Sequence, residues 1–144
     1  LKPDLLQLHG QETPARVAAV AARFKLPVMK AVAIASAADV AAAHTYESVA
    51  DRLLLDAKPP PGAATPGGNA RVFDWRLIAG EAWAKPFVLS GGLTPENVAA
   101  AVAATGTTGV DVSSGVESEP GIKDADLIRR FVQAARAAIE ALRR

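Results

Sequence analysis

The sequence predicts an α/β fold built on a parallel sheet. Short apolar strands alternate with helices whose apolar residues recur at helical spacing, in five strand–helix units along the chain. Such alternation is typical of parallel strands joined by right-handed helical crossovers. The residues alone leave open a doubly wound open sheet or part of a closed barrel. The lack of a Gly-x-Gly-x-x-Gly turn argues against a dinucleotide-binding version.

The composition excludes several classes of function. The chain has 144 residues, 50% of them hydrophobic, which is enough for one domain with a core. A net charge of +1, with Lys and Arg spread along the chain, argues against nucleic acid or a membrane surface as partner. The lack of cysteine excludes a disulfide or a cysteine nucleophile within these residues. We see no membrane-spanning run and no signal peptide, and therefore expect a cytoplasmic protein.

The boundaries of the elements are predicted from apolar spacing and from residues that begin helices. Thr13 before Pro14, and Thr94 before Pro95, are typical helix starts because a hydroxyl caps the first turn and proline suits the first helical position. The predicted strands are residues 5–8, 28–33, 53–55, 87–89 and 109–112. The predicted helices are residues 14–25, 36–44, 95–104 and 124–142, with a further short helix that is capped by Asp74 and precedes the fourth strand.

One predicted connection is unusually long. Residues 57–71 are rich in proline and glycine, and a loop of that length in a compact domain is typically functional or disordered. His44, at the end of a predicted helix, is expected on the solvated surface.

Two strand ends carry the strongest functional signal. The fourth predicted strand runs into Gly91 and Gly92, and the fifth runs into Ser114 and Gly115. Glycine allows a turn with positive φ and lets a ligand approach main-chain N–H groups. A Gly-Gly turn alone is often only a tight connection. Two such ends on adjacent strands predict a phosphate site, which a barrel carries in the loops after its last two strands.

Three side chains at strand ends are candidates for chemistry. Asp56 follows an apolar strand, so partial burial would raise its pKa and suit it to general acid catalysis; otherwise it caps the following loop. His9 could position or polarise a substrate, or be only a hydrogen-bonded residue. Asp111 could hold a hydroxyl or a cationic nitrogen of a substrate, or orient the glycine-rich loops. The other polar residues expected around this site are Lys30 or a neighbouring residue, Lys58, Ser90 and Ser113.

Five stretches of the chain, in order and over essentially its whole length, match the motifs of one enzyme family. They are residues 6–10 (LQLHG), 54–58 (LLDAK), 66–69 (PGGN) with 73–75 (FDW), 89–93 (LSGGL) with 95–98 (PENV), and 110–117 (VDVSSGVE) with 120–121 (PG) and 123–124 (KD). The chain thereby resembles the phosphoribosylanthranilate isomerases of tryptophan biosynthesis, which are (β/α)₈ TIM barrels. The resemblance implies one partial barrel domain over residues 1–144, corresponding to strands 4 to 8.

The resemblance also implies a reaction and a set of site residues. The reaction is an Amadori rearrangement, in which the phosphoribosyl ring on anthranilate opens and the aldose imine becomes an aminoketose, with no metal and no organic cofactor. Asp56 corresponds to the general acid that protonates the ring oxygen, and His9 and Asp111 would line the substrate site. Residues of the phosphate-binding loops would be Gly91, Gly92, Ser114 and Gly115. The loop around Gly67 and Gly68 would fold over the mouth.

The sequence departs from the family pattern at the general base. The family uses a cysteine in a Lys-x-Cys-Gly motif on its first strand, and its substrate-contacting arginine also lies in an early loop. Neither is present, so we expect that the first three units are missing here and that these 144 residues alone are inactive. A missing N-terminal part or a second copy would complete the barrel, because an open segment leaves sheet edges unpaired. Ala70 replaces a usual glycine, which would stiffen its loop.

Two other interpretations are left open by the sequence. One is a different barrel enzyme for a phosphorylated sugar, such as indoleglycerol-phosphate synthase or a pentose-phosphate epimerase. The synthase would need lysines and glutamates at the strand ends, and the epimerase would need metal-binding histidines and aspartates. The other is a non-catalytic, phosphate-binding half-barrel that serves as an assembly piece.

Overall fold

The computed structural model describes residues 2–58 and 72–144, which contain a four-stranded parallel sheet in the order β1-β2-β3-β4. Each crossover moves one strand further along the sheet, which is the arrangement of a barrel wall. The strands are β1 (Leu6–Leu8), β2 (Val28–Ile34), β3 (Arg52–Ala57) and β4 (Phe87–Leu89), followed by an antiparallel pair, β5 (Glu117–Glu119) and β6 (Ile122–Lys123). The α-helices are α1 (Pro14–Phe24), α2 (Ala37–His44), α3 (Val98–Thr105) and α4 (Ala125–Ala141).

The fifth predicted strand, residues 109–112, is reduced to one parallel bridge between Leu89 and Val110. The N–H of Leu89 donates to the carbonyl of Gly109, and the N–H of Asp111 donates to the carbonyl of Leu89. The ladder then stops because the chain turns into a short 3₁₀ helix, Ser114–Val116. Five complete βα units are therefore not confirmed; the parallel sheet of the described residues has four strands, extended by this bridge.

The start of α3 differs from the prediction. The helix begins at Val98, so the assignment of Thr94 as its N-cap and of Pro95 as its first residue was wrong. The side chain of Asn97 explains the difference: its Oδ1 accepts from the N–H of Thr94 at 2.8 Å, and its Nδ2 donates to the carbonyl of Gly92 at 3.0 Å. These bonds connect the turn at Gly92 to a second tight turn that directly precedes the helix.

Other helix starts confirm the capping pattern. Thr13, Ser36 and Asp124 each accept a backbone N–H of the first turn with the side chain, as expected of N-cap residues. Asp74 does the same for a 3₁₀ helix, Trp75–Leu77. No helix in residues 2–58 and 72–144 is long and apolar enough to cross a membrane.

The core lies between the sheet and the helices and is densest at β3. Leu53 and Leu55 are fully buried there, in one cluster with Val40 of α2 and Val98 of α3. Successive side chains of a strand point to opposite faces, so Asp56 lies on the face of the sheet away from that cluster. The pleat of β3 thus directs a carboxyl group into what would be the interior of a barrel.

His44 lies in a polar contact rather than on the solvated surface. Its ring stacks on Trp83, with 4.2 Å between centroids and 15° between planes. Its Nδ1 lies 2.9 Å from Glu47 Oε2, and its Nε2 lies 3.5 Å from Glu81 Oε2. Glu47 also accepts from the N–H of Ala84 at 2.6 Å. This contact fastens the end of α2 to the segment that leads into β4.

We predict that this contact weakens as the pH rises. The hydrogen bond to Glu47 raises the pKa of His44 above its ordinary value of 6.5, against the effect of burial. A raised folded-state pKa means that the stabilisation is complete below the unfolded-state pKa and is lost as the pH rises through the folded-state pKa. His44→Gln should therefore lower the free energy of unfolding by about 1 kcal/mol at pH 5.5 and by less at pH 9. Urea titrations of both proteins across this range test it, and a pH-independent difference would contradict it.

Candidate active site

A cleft of about 210 Å³ opens at the carboxyl ends of the strands. Parallel strands end at the same edge of a sheet, so residues at the carboxyl ends of β1, β3 and β4 meet there, and the segment after the Val110 bridge lies beside them. All the predicted site residues line this cleft, namely His9, Asp56, Gly91, Gly92, Asp111, Ser114 and Gly115. Ser90 and Ser113, also predicted around the site, line it as well.

Asp56 is the buried acid of the cleft, with a side chain that is 12% exposed. Its Oδ1 accepts from the N–H of Ala57 at 2.8 Å, and its Oδ2 lies 3.6 Å from His9 Nε2. Burial raises the pKa of Asp56; the Ala57 N–H and the charge of His9 oppose this, and the charge of Asp111 adds to it. The carboxyl group therefore keeps its proton to higher pH than a free aspartic acid does, as a general acid requires.

The turn after β4 lies directly against Asp56. Gly91 has a φ of +87°, which L side chains rarely adopt. A Cβ atom on Gly91 would lie 2.8 Å from Asp56 Oδ1 and 2.6 Å from the Cβ of Ala57. Glycine is thus required twice over, by the backbone conformation and by the close approach.

A second turn packs onto the first from the other side. A Cβ atom on Gly115 would overlap the carbonyl oxygen of Leu93. Between the two turns, Ser90 Oγ donates to Asp111 Oδ2 at 2.9 Å. The N–H groups of Gly91 and Gly92 donate to no acceptor within residues 2–58 and 72–144. The two turns form one concave surface of main chain beside the acid.

The second turn is held by a side chain that our sequence interpretation missed. Lys123 Nζ, on β6, donates to the carbonyl of Ser113 at 2.9 Å and to its Oγ at 3.2 Å, and it pairs with Glu117 on β5. The β5–β6 pair was not predicted either, because its strands are too short to show alternation. The sequence signal was the Lys123-Asp124 pair, which we used only as part of a family motif.

Two lysines predicted around the site lie elsewhere. Lys58 Nζ pairs with Asp39 Oδ1 at 3.1 Å, beside the start of α2. Lys30 is two residues from the buried Val28 on β2, so it shares the helix-facing side of the strand and has a side chain that is 2% exposed. The predicted covering loop around Gly67 and Gly68, and Ala70, lie outside the described residues. Within those residues no group of three or more His, Asp or Glu side chains could hold a metal ion.

Comparisons with known proteins agree on one family. A family model described as N-(5'phosphoribosyl)anthranilate (PRA) isomerase matches residues 1–134. The N-(5'-phosphoribosyl)anthranilate isomerase of Paramagnetospirillum magneticum is 61% identical over 133 residues, covering 92% of this chain and 62% of the relative. That of Rhodopseudomonas palustris is 58% identical over 140 residues, covering 97% of this chain and 64% of the relative.

Solved structures give the same result. The phosphoribosyl anthranilate isomerase of Thermotoga maritima superposes with a TM-score of 0.79 at 38% identity, covering 93% of this chain and 62% of that one. A phosphoribosyl anthranilate isomerase in complex with reduced 1-(o-carboxyphenylamino)-1-deoxyribulose 5-phosphate superposes with a TM-score of 0.72 at 35% identity, covering 93% and 60%. The chain spans somewhat more than three fifths of the length of these proteins. With its α/β architecture and its strand-end cleft, the chain belongs to the phosphoribosylanthranilate isomerase family.

Proposed function

We propose that these residues form the larger part of an isomerase that converts N-(5-phosphoribosyl)anthranilate into 1-(2-carboxyphenylamino)-1-deoxyribulose 5-phosphate. One observation carries the proposal: a buried carboxyl group, Asp56, lies against a glycine turn that offers main-chain N–H groups. An acid and an anion site in contact suit a sugar phosphate that must be protonated. A family member solved with a reduced aminoketose phosphate supports the choice of substrate.

The phosphate would bind between the two turns. Gly91 and Gly92 would donate main-chain N–H groups, and Ser114 and Gly115 would complete the loops from the other side. Main-chain N–H groups directed into a concave turn bind anions without a charged side chain. Because the carboxylates of Asp56 and Asp111 also line the cleft, the phosphate must be held at its glycine-lined end.

Asp56 would start the reaction. It would give its proton to the ring oxygen while the bond from that oxygen to C1 breaks, and the nitrogen lone pair would form the imine. A base would then take the proton from C2, which gives an enolamine with a C1=C2 double bond. Protonation of C1 and loss of the proton of the 2-hydroxyl group would give the aminoketose. His9 and Asp111 would line the substrate site throughout these steps. The side chain of His9 is 44% exposed in the cleft.

The base would come from outside these 144 residues, which contain no cysteine. The cleft supports this part of the proposal, because its volume of about 210 Å³ is below the range of roughly 300–1,000 Å³ that is usual for ligand pockets. A further segment, or a second copy of the chain, would supply the remaining wall, and residues 1–144 would form one partial barrel domain.

A second candidate function is binding of a sugar phosphate without turnover. It is favoured by the fact that Asp56 and both glycine turns lie in this one polypeptide, whereas the polypeptide contains no cysteine, the residue that the family resemblance implies as the base.

We predict that a completed enzyme turns over and that the 144-residue polypeptide does not. The completed enzyme is this chain joined to the part of the Paramagnetospirillum magneticum relative that it does not span. Both proteins are assayed with N-(5-phosphoribosyl)anthranilate, and binding of the reduced product analogue is measured in parallel. Turnover by the polypeptide alone would refute an external base. A folded completed enzyme that binds the analogue without turnover would favour the second function.

Asp56→Asn should separate activity from stability. In the completed enzyme it should lower turnover by about 10²–10⁴-fold, as expected for loss of a general acid. The pKa of Asp56 is raised by burial, so its contribution to stability falls as the pH rises from the unfolded-state pKa through the folded-state pKa. The uncharged variant should therefore be more stable than the parent at pH 7, as measured by thermal unfolding.

Asp39→Asn is the matched control. Despite burial, hydrogen bonds from Ser36 and Lys58 lower the pKa of Asp39, so removing its charge should destabilise the protein at pH 7 and leave turnover unchanged. A loss of turnover below about tenfold in Asp56→Asn would reject the acid role.

Gly91→Ala should weaken phosphate binding beyond its cost to the backbone. A positive φ costs a residue with a Cβ roughly 1–2 kcal/mol, and at Gly91 the new methyl group also meets Asp56 and Ala57. Gly80→Ala is the control, because Gly80 has a φ of +77° but no atom within 4 Å of its Cβ position. Calorimetric titration with the reduced product analogue should show a loss of affinity in Gly91→Ala only. Equal affinities in both variants would contradict the proposed phosphate site.

A further inference from the structure

The buried ammonium group of Lys30 lies beneath the turn that carries His9. Its Nζ is 2.8 Å from the carbonyl oxygen of Gly10, 3.5 Å from that of Leu8 and 2.7 Å from that of Ala31. The carboxylate of Glu12 lies 3.1 Å away. Two of these four oxygen ligands, from Gly10 and Glu12, belong to the short segment between β1 and α1, and a third is the carbonyl oxygen of Leu8, the last residue of β1.

Such a site is stable only when it is fully coordinated. Taking an ammonium group out of water costs several kcal/mol unless ion pairing and hydrogen bonds offset the loss. The same segment is braced by other bonds: Glu12 accepts from the N–H of Gly10 at 3.1 Å, and the hydroxyl of Tyr46 donates to the carbonyl of Glu12 at 2.9 Å. The ring of Tyr46 faces Lys30 Nζ at 5.6 Å. The position of the turn is therefore coupled to a buried charge.

His9 is the residue between the two carbonyl groups of Leu8 and Gly10. Its side chain points to the opposite face of the sheet, where Nε2 lies 3.6 Å from Asp56 Oδ2. The ring is 44% exposed, and its other polar contact is with Gln7 Nε2, at 3.2 Å. Contacts of the ring alone do little to hold it, so its place depends on the backbone of the turn.

We propose that Lys30 is a positioning residue of the isomerase: by binding the carbonyl oxygens on both sides of His9, it holds the imidazole against Asp56. The inference rests on the proposed function, because it assigns His9 and Asp56 to the reacting site. Lys30 itself never enters the cleft; it acts through the main chain from the other side of the sheet.

The coupling has an electrostatic consequence at Asp56. The groups that face Asp56 are the N–H of Ala57, His9 from β1, and Asp111 from the segment after β4. The groups that face Lys30 are Glu12 and Tyr46, besides the three carbonyl oxygens. Because the charge of His9 lowers the pKa of Asp56, a displaced His9 leaves this pKa higher. A change on the helix side of the sheet should therefore be measurable at the acid.

The test is a double-mutant cycle in the completed enzyme. Lys30→Met is combined with Glu12→Gln, so that the carboxylate of Glu12 is not left without its partner. This double substitution, the Lys30→Met pair, is introduced into the parent and into the His9→Asn variant. In the parent background we expect kcat to fall about tenfold or more with a nearly unchanged KM, since small misplacements of catalytic groups are costly. In the His9→Asn background we expect the pair to lower kcat by less than about twofold, because the effects of residues that act through one another are not additive.

The matched control is Val40→Ala, a substitution of a buried residue that belongs to the same helix-facing core and does not line the cleft. It should lower thermal stability, and its effect on kcat should be small and equal in the parent and His9→Asn backgrounds. If the Lys30→Met pair does not fold, Lys30→Gln, which keeps an N–H donor, replaces it in the cycle.

A second readout does not depend on turnover. The pKa of Asp56, followed by ¹³C NMR of its carboxyl carbon, should rise in the Lys30 variant and not in Val40→Ala. Equal losses of kcat in both backgrounds, an unchanged pKa of Asp56, or normal turnover in His9→Asn would each overturn the proposal. If the parent lacks turnover altogether, the proposed function fails, and the pKa measurement still decides whether Lys30 holds His9.

Discussion

The close approach of the Gly91 turn to Asp56 is the contact on which the site depends. The parallel register of β3 and β4 ends both strands at the same edge, and the N–H of Ser90 extends the ladder by donating to the carbonyl of Leu55 at 2.8 Å. The turn that follows must then pass over the carboxyl group, where there is no room for a Cβ. The carboxyl group of Asp56 and the Gly91 turn are adjacent because both are placed by the pairing of β3 with β4.

The burial of Asp56 at this contact also costs the fold stability. Burial raises the pKa of Asp56, which means that this position disfavours the charged form of the carboxyl group. The fully buried Leu53 and Leu55 on the same strand supply apolar burial that offsets this cost. β3 thus packs an apolar face against the helices and presents the carboxyl group of Asp56 at the end of its other face.

The cleft is supported by side chains that do not line it. Asn97 binds the carbonyl of Gly92, Lys123 binds Ser113, and Lys30 binds the carbonyl groups of Leu8 and Gly10. In each case a polar side chain satisfies main-chain atoms of a turn that has no sheet partner to satisfy them. The turns can then expose their remaining polar groups to a ligand without losing their shape.

Local patterns in the sequence determined the order of the four parallel strands and of the helices, the caps Thr13 and Asp74, and the polar and glycine residues that line the cleft. These features depend on neighbours within a few residues, so apolar spacing, capping chemistry and family motifs predict them. The sequence did not predict the early end of the fifth strand, the β5–β6 pair or the later start of α3, because each depends on bonds to distant or weakly patterned residues.

Only the tertiary structure decided which lysines belong to the site and what surrounds His44. Lys30 and Lys58 both lie near strand ends in the sequence, yet one faces the helices and the other pairs with Asp39. The face of the sheet that a side chain occupies, and the charge that it meets there, are set by strand register and packing between segments far apart in the chain. The sequence alone thus determines which chemical groups reach the edge of the sheet, and the packing of the strands determines which of them lie close enough to act together.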